Sequence, residues 1–356
     1  MEKDWGVPPG EILQEVLEER AMSQSELARR MARPIKTINE IVRGKAAITP
    51  ETAIQLELSL GTPAAFWNNL ESNYRAFVAR QNVGQELEQQ GSWADQFPLH
   101  DLEKHALIDR GSSKGETVRA LLSFFAVSSP KAWENHWSGP IASFRASPAF
   151  DSSPQAVAAW LRWGEIVAAQ TQTGSFDSKH LETVLTEARP LSRKDISLAL
   201  KRLAKMLAET GVALVLTPEL TGAHLSGAAR WLSPDRAIVQ LSLRHKSDDH
   251  FWFSFFHESA HLLGPRRAEF VDPPEQDRNW EDEEEERADR FARDQLIPPA
   301  AYQRFVSETD FNGQSVRRFA KEIDIAPGIV VGRLQRDKHI ARSQLNNLKR
   351  PIRWAS

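Results

Sequence analysis

Cysteine is absent from the 356 residues. Without a thiol there is no disulfide framework, no thiolate-held zinc or iron-sulfur cluster and no cysteine nucleophile, so any metal must rest on histidine and carboxylate. Long apolar runs are missing as well. No stretch reaches the roughly 18 uninterrupted apolar residues of a membrane span, and the opening Met1-Glu-Lys-Asp-Trp-Gly has no basic segment leading into an apolar run. The expectation is a cytoplasmic protein with no membrane partner. Excess charge of one sign is lacking too: 45 Lys and Arg face 48 Asp and Glu, a formal net charge of -3. That excludes coating nucleic acid through overall charge and leaves a local basic patch as the route to DNA. What remains is an ordinary globular composition, 41% hydrophobic, at a length that suits two or three domains of roughly 150 residues each.

Helical periodicity and caps fill the first 80 residues. Ser23 with Glu26 has capping-box spacing, Thr49-Pro50 and Thr62-Pro63 each set a hydroxyl before a proline at the first helical position, and Gly44 and Gly61 are stops. Five short helices are expected, over about 9–20, 24–31, 35–43, 50–60 and 63–75. Residues 81–116 are polar and patternless and read as loop, which places a domain boundary near 80. From 117 to 210 the chain is helical again, with starts at Ser153-Pro154 and Ser192 to Asp195 and with Trp133, Trp137, Trp160 and Trp163 as core anchors. After Gly211 the period shortens. The β-branched runs 212–217 and 237–243 predict two or three antiparallel strands, followed by helices over 247–263 and 282–297. The expected architecture is a mainly α domain at 1–80, a mainly helical linker or sensor region at 81–194, an α+β domain with a short antiparallel sheet at 195–300, and a helical extension at 301–356.

Residues 23–44 have the form of a helix-turn-helix. Leu27, Ala28 and Met31 make one inner face and Ile38, Ile41 and Val42 the other, with Ala28 small enough for the helices to cross closely. From Arg29 to Lys45 stand six basic residues, Arg29, Arg30, Arg33, Lys36, Arg43 and Lys45, against Glu40 alone. Such a patch suits counterion release from phosphates, and the bland counterpart is a helical hairpin with a solvated basic face. Lys36, Thr37 and Asn39 fall where a recognition helix presents side chains to base edges, and Gln24 where it would reach a phosphate. From Pro8 to about Arg75 the segment resembles the Xre helix-turn-helix family, and within it the HigA-type antitoxins, through Pro8-Pro-Gly-Glu-Ile-Leu, Ser25-Glu-Leu-Ala, Ile38-Asn-Glu-Ile-Val-Arg-Gly-Lys and Ile48-Thr-Pro-Glu-Thr-Ala. The resemblance implies a homodimeric repressor on double-stranded, palindromic operator DNA.

His257-Glu258-Ser259-Ala260-His261 is an H-E-x-x-H motif within an expected helix. Imidazoles at i and i+4 share one face and can both ligate a zinc ion, with Glu258 carried beside the water that the ion would activate. A third ligand is needed from Glu281-Asp-Glu-Glu-Glu-Glu-Arg-Ala-Asp-Arg-Phe-Ala292. If Ala288, Phe291, Ala292 and Leu296 face inward, Glu285 supplies the ligand and Asp289, one turn on, orients a ligating histidine; Glu281 or Glu284 takes that place if the register slips. Most of the acidic run is solvated face. His224, His245, His250 and Arg244 stand near the motif in sequence; one of them could stabilise an oxyanion, but the stronger reading of each is an ordinary surface or core residue.

The chain from about 195 to 340 resembles the ImmA/IrrE metallopeptidases in Phe253-Ser-Phe-Phe-His-Glu-Ser-Ala-His-Leu-Leu, Glu285-Glu-Arg-Ala-Asp-Arg-Phe-Ala, Leu296-Ile-Pro and Ile325-Ala-Pro-Gly-Ile-Val-Val-Gly-Arg-Leu-Gln. The likeness implies a zincin-like fold, zinc on His257, His261 and Glu285, Glu258 as general base, and a repressor or antitoxin as protein substrate. The acidic insertion before Glu285 and the basic Arg287 depart from that pattern. A competing class is a non-proteolytic antitoxin or repressor whose zincin-like domain senses a ligand or a cognate toxin. In the tail, Phe319-Ala320, Ile323, Val330 and Leu334 echo the first helix pair, and a hairpin packed beside the core is expected there because its recognition positions are apolar.

Overall fold

The computed structural model describes residues 6–145, 152–242, 247–265, 278–307 and 310–352, with the backbone course alone at 140–145 and 278–282. They divide into two compact units: one holds the chain up to Ser92 with Gly111–Arg119, the other holds Trp93–Arg110 and everything from Ala120 onward.

The first unit carries α1 (Pro9–Glu19), α2 (Gln24–Arg30), α3 (Ile35–Val42), α4 (Pro50–Leu60) and α5 (Ala64–Gln89). Ser23 caps α2 by accepting the Glu26 N–H at 3.1 Å, and Thr49 caps α4 by accepting that of Thr52 at 3.3 Å. Their apolar stripes meet in one core of Leu13, Leu17, Leu27, Ile38, Leu56 and Trp67. Thr62 is not the cap of α5. Glu57 reaches over from α4 instead, and its carboxylate accepts the Ala64 N–H at 2.5 Å. The expected loop over 81–116 is also corrected at its start, and the helix expected to end at 75 runs on, since α5 continues unbroken through position 80 to Gln89. The Arg-, Gln- and Glu-rich run there lacks an apolar stripe, yet these residues favour helix. The helices α6 (Gly91–Ala94) and α7 (Leu99–Lys104) then take up part of the rest of that stretch.

Next come α8 (Lys114–Phe125), α9 (Pro130–Arg145), α10 (Pro154–Ala169), α11 (Ser178–Ala188) and α12 (Ile196–Glu209). Ser153 and Asp195 cap α10 and α12 as their positions in the sequence suggest. Trp133, Trp137 and Trp160 are buried. The sheet of β1 (Val212–Leu216), β2 (Gly227–Ser233) and β3 (Arg236–Leu241) has the order β1-β3-β2 and is mixed, not antiparallel. A tight turn joins β2 to β3 as an antiparallel pair, whereas β1 runs parallel to β3. Burial explains the order. From Ala237 to Leu241 every residue of β3 is buried, the signature of a strand covered on both faces, so β3 takes the centre.

Beyond the sheet lie α13 (Asp248–Leu262), α14 (Arg278–Leu296), α15 (Pro299–Ser307), α16 (Gly313–Glu322) and α17 (Pro327–Arg336). Trp252, Phe255 and Phe256 of α13 are fully buried in a core shared with Leu203, Val239 and Leu334. Phe319, Val330 and Leu334 enter that same core, so the tail helices form the packed hairpin that the sequence suggests. Close contact secures it: a β-carbon on Gly328 or Gly332 would stand 2.5 Å from a carboxylate oxygen of Asp248 or Asp249. Those buried acids pair with Arg350 at 3.0 Å and Lys349 at 2.6 Å. Among the described residues no helix is long and apolar enough to cross a membrane.

Candidate metal centre and nucleic-acid face

On α13 the aromatic faces are consumed by the core, which fixes the helix as a rigid mount. His257 and His261, one turn apart, project on the remaining face. Ala288 and Ala292 of α14 are fully buried against it, and two small residues let α14 approach closely enough to deliver Glu285 and Asp289. The ligand atoms of His257, His261 and Glu285 all lie within 4.8 Å of one another. The two Nε2 atoms are 3.2 Å apart, and Glu285 oxygens stand 3.3 Å from the first and 3.4 Å from the second. Four donors set tetrahedrally about 2.0–2.1 Å from a zinc-sized ion are separated by about 3.3–3.4 Å. The donor set and its spacing therefore fit such an ion. Glu285 is 60% exposed while the imidazoles are largely covered, which leaves one side of the cluster open.

The surroundings fix charge and tautomer. Asp289 Oδ1 lies 3.0 Å from His257 Nδ1, and its other oxygen accepts from Arg336 at 2.5 Å, so Nε2 is the atom turned toward the cluster. Burial opposes charge on His257, but its hydrogen bonds to Asp289 and Glu285 prevail and raise the imidazole to about 10. Burial, with the charge on His257 beside it, pushes His261 down to about 4. Glu258 is raised by burial to about 7 against the pull of His257, and it accepts the Ala229 backbone N–H of β2. Glu284 turns away from the cluster toward Arg287, at 4.0 Å. His224 pairs with Glu219 at 3.2 Å. Arg244, His245 and the side chain of Glu281 lie outside the described residues.

In the first unit Ile38 and Ile41 anchor α3, and a β-carbon on Gly10 of α1 would collide with the Ile41 carbonyl oxygen. That contact explains the glycine of Pro8-Pro-Gly. The outer side presents Lys36, 84% exposed and 3.8 Å from Glu40, flanked by the half-buried Thr37 and Asn39, whose side chains hold no hydrogen bond among the described residues. Arg43 and Lys45 are exposed beside them. Arg29 and Arg30 are less free than a count of charges suggests, since both pair with Glu26. Gln24 donates to Gln14 at 2.8 Å, and Arg33 to Gln55 at 2.5 Å. Sequence reasoning missed Glu71, a buried acid on α5 that accepts the Ile48 N–H at 3.0 Å and the Arg75 Nε–H at 2.7 Å. Its placement in a polar helix gave no signal.

A family model described as helix-turn-helix matches residues 13–67, the core helices α1 to α4 and the start of α5. An uncharacterized HTH-type transcriptional regulator of Escherichia coli (strain K12), YddM, is 39% identical over 75 residues, which are 21% of this chain and 80% of the relative. The chain belongs to the helix-turn-helix family. Virulence-associated protein I of Dichelobacter nodosus is 36% identical over 77 residues, 21% of this chain and 71% of that protein. Among solved structures, Pseudomonas aeruginosa antitoxin HigA with the higBA promoter is 38% identical and covers 24% of this chain and 92% of its own, at a TM-score of 0.23. The family match ends at residue 67, so the metal cluster rests on its own geometry.

Proposed function

We propose that this chain is a cytoplasmic, operator-binding transcription regulator of the Xre type, similar to the HigA antitoxins, whose second unit is a zincin-like metallopeptidase of the ImmA/IrrE kind acting on a repressor or antitoxin. The single observation that carries the enzymatic half is the set of donor distances among His257, His261 and Glu285, with Glu258 half-buried beside them. A zinc ion held by those three side chains would act as a Lewis acid, making a water molecule more acidic and polarising a peptide carbonyl. Glu258, raised to about 7 and steadied by the Ala229 N–H, takes the proton from the attacking water and returns it to the leaving amine. Asp289 holds His257 in the tautomer that ligates. The edge strand β2 offers its open side to an extended peptide by strand addition, which would lay the peptide beside Glu258.

The regulatory half is supported by the family membership and by the exposed Lys36, Arg43 and Lys45, with the half-buried Thr37 and Asn39, around α3. The curated relative in E. coli is an HTH-type transcriptional regulator, and a homodimer on two half-sites is the arrangement proposed here. Exposed Ile54, Leu58 and Phe66, at 52%, 81% and 45%, supply an apolar patch for it.

Metal analysis paired with a cleavage assay tests the enzymatic reading. Zinc-loaded full-length protein and its Glu258→Gln variant are incubated with the repressor or antitoxin encoded beside the gene. One zinc per chain in both, and cleavage by the wild type alone, is the expected result. Regulation by Glu258→Gln equal to that of wild type, with cleavage by neither, would hand the site to a non-proteolytic antitoxin that senses a ligand or a toxin.

A further inference from the structure

A cavity of about 620 Å³ opens in the second unit between the first turns of α13, the end of α14, α17 and the segment that follows it. Its floor is apolar, made by Phe253, Leu296, Ile297 and Ile329. Its walls are cationic, with Arg293, Arg333, Arg336, Arg342 and Lys349 against Asp249 alone. Three of these cations are matched: Arg333 by Asp337, Arg336 by Asp289 and Lys349 by Asp249. Arg293 and Arg342 have no carboxylate partner among the described residues, and the buried Nε–H of Arg293 has no hydrogen-bond partner there at all. A buried guanidinium donor left unpaired costs free energy unless something else accepts from it.

We infer that this cavity binds a small amphipathic anion, with a ring or short acyl body on the Phe253, Leu296 and Ile329 floor and a carboxylate or phosphate held by Arg293 and Arg342. The size fits: pockets of roughly 300–1,000 Å³ take ligands of this class. The charge fits as well, because two unmatched guanidiniums suit one or two negative charges. The site is separate from the metal cluster but connected to it. Arg336 stacks over Phe253 at 4.8 Å and donates to Asp289, which holds His257. Whether the cluster holds zinc or cuts a peptide does not enter the argument for binding.

The test is titration of the full-length protein with 8-anilinonaphthalene-1-sulfonate, an anion on an apolar body, followed by its fluorescence. Arg293→Gln and Arg342→Glu are compared with Arg317→Gln, an exposed arginine on α16 outside the cavity. The expected result is saturable binding in wild type and Arg317→Gln, and a loss of about tenfold or more in affinity in each pocket variant, as removal of a charge-assisted contact requires. Arg342 lies at the exposed rim, so its variant keeps the test valid if Arg293→Gln folds poorly. Phenyl phosphate and phenylacetate are then used as competitors, and the stronger of them tells a phosphate ligand from a carboxylate one. Binding unchanged by Arg342→Glu, or displacement by benzyl alcohol as effective as by either anion, overturns the proposal.

Discussion

Gly227 of β2 lies directly against Glu258 of α13: a β-carbon built on the glycine would stand 2.6 Å from Glu258 Cγ and 2.7 Å from Oε1. The contact involves Cγ as well as the carboxylate, so turning the carboxylate alone does not clear it. Gly227→Ala should therefore displace Glu258 while leaving His257, His261 and Glu285 in place. Cleavage is expected to fall by about a hundredfold, the scale of a lost general base, with zinc content unchanged by elemental analysis. Loss of zinc along with cleavage would mean that the strand supports the ligands rather than the glutamate.

Asp289 offers a second handle on the same site, because it touches His257 without belonging to the ligand set. Asp289→Ala should weaken zinc affinity by about 10-fold to 100-fold, as losing the partner of a ligating histidine does. Competition with a chromophoric chelator reads this directly. His257→Ala should abolish stoichiometric zinc altogether, and equal affinities in the two variants would contradict the division of roles.

The pair of histidines and Glu258 are legible in the sequence because helical spacing alone puts i and i+4 on one face. Glu285 and Asp289 are legible in part, since Ala288, Ala292 and Leu296 mark the inward side of their helix, while Glu281 and Glu284 stay open as alternatives until the register is known. Contacts made by distant segments are not. Gly227, Arg336 and Glu71 carry no signal of their own in the sequence, because their partners come from elements that local periodicity does not identify. The mixed sheet has the same cause: short β-branched apolar runs show that 212–217 and 237–243 extend, but which edge β1 joins depends on the burial of β3 on both faces.

DNA recognition should divide by residue. Lys36→Ala and Asn39→Ala remove groups that face outward from α3, and each is expected to cost about 1–3 kcal/mol of discrimination between operator and scrambled DNA. Arg43→Ala should weaken both sequences alike and lower the slope of log affinity against log salt by about one. Glu26 neutralises Arg29 and Arg30 at the start of the motif. Glu26→Gln should free them and tighten binding to any sequence, most clearly at low salt. Fluorescence anisotropy across a salt series separates the three behaviours, and an operator preference unchanged by Lys36→Ala and Asn39→Ala together would remove α3 as the reading helix.

Two glycines of the helix-turn-helix unit are needed for different reasons, and substitution can tell them apart. Gly44 has φ +68° with nothing within 4 Å of where a β-carbon would stand, so its constraint is the left-handed backbone alone. Gly10 has a crowded neighbourhood instead: a β-carbon there would sit 2.5 Å from the Val42 carbonyl oxygen and closer still to that of Ile41. Alanine at 44 should cost about 1–2 kcal/mol, the penalty of a left-handed L-residue, and asparagine, which tolerates that region, should recover part of it. At position 10 the obstacle is backbone that cannot rotate away, so alanine should cost about 1–3 kcal/mol as an overpacked contact does, and asparagine should be worse than alanine. Urea unfolding of the four variants, followed by operator binding, gives the comparison. If asparagine rescues position 10 as well as position 44, then α1 does not press on the end of α3, and the reading helix is held in place by the Leu27, Ile38 and Ile41 core alone.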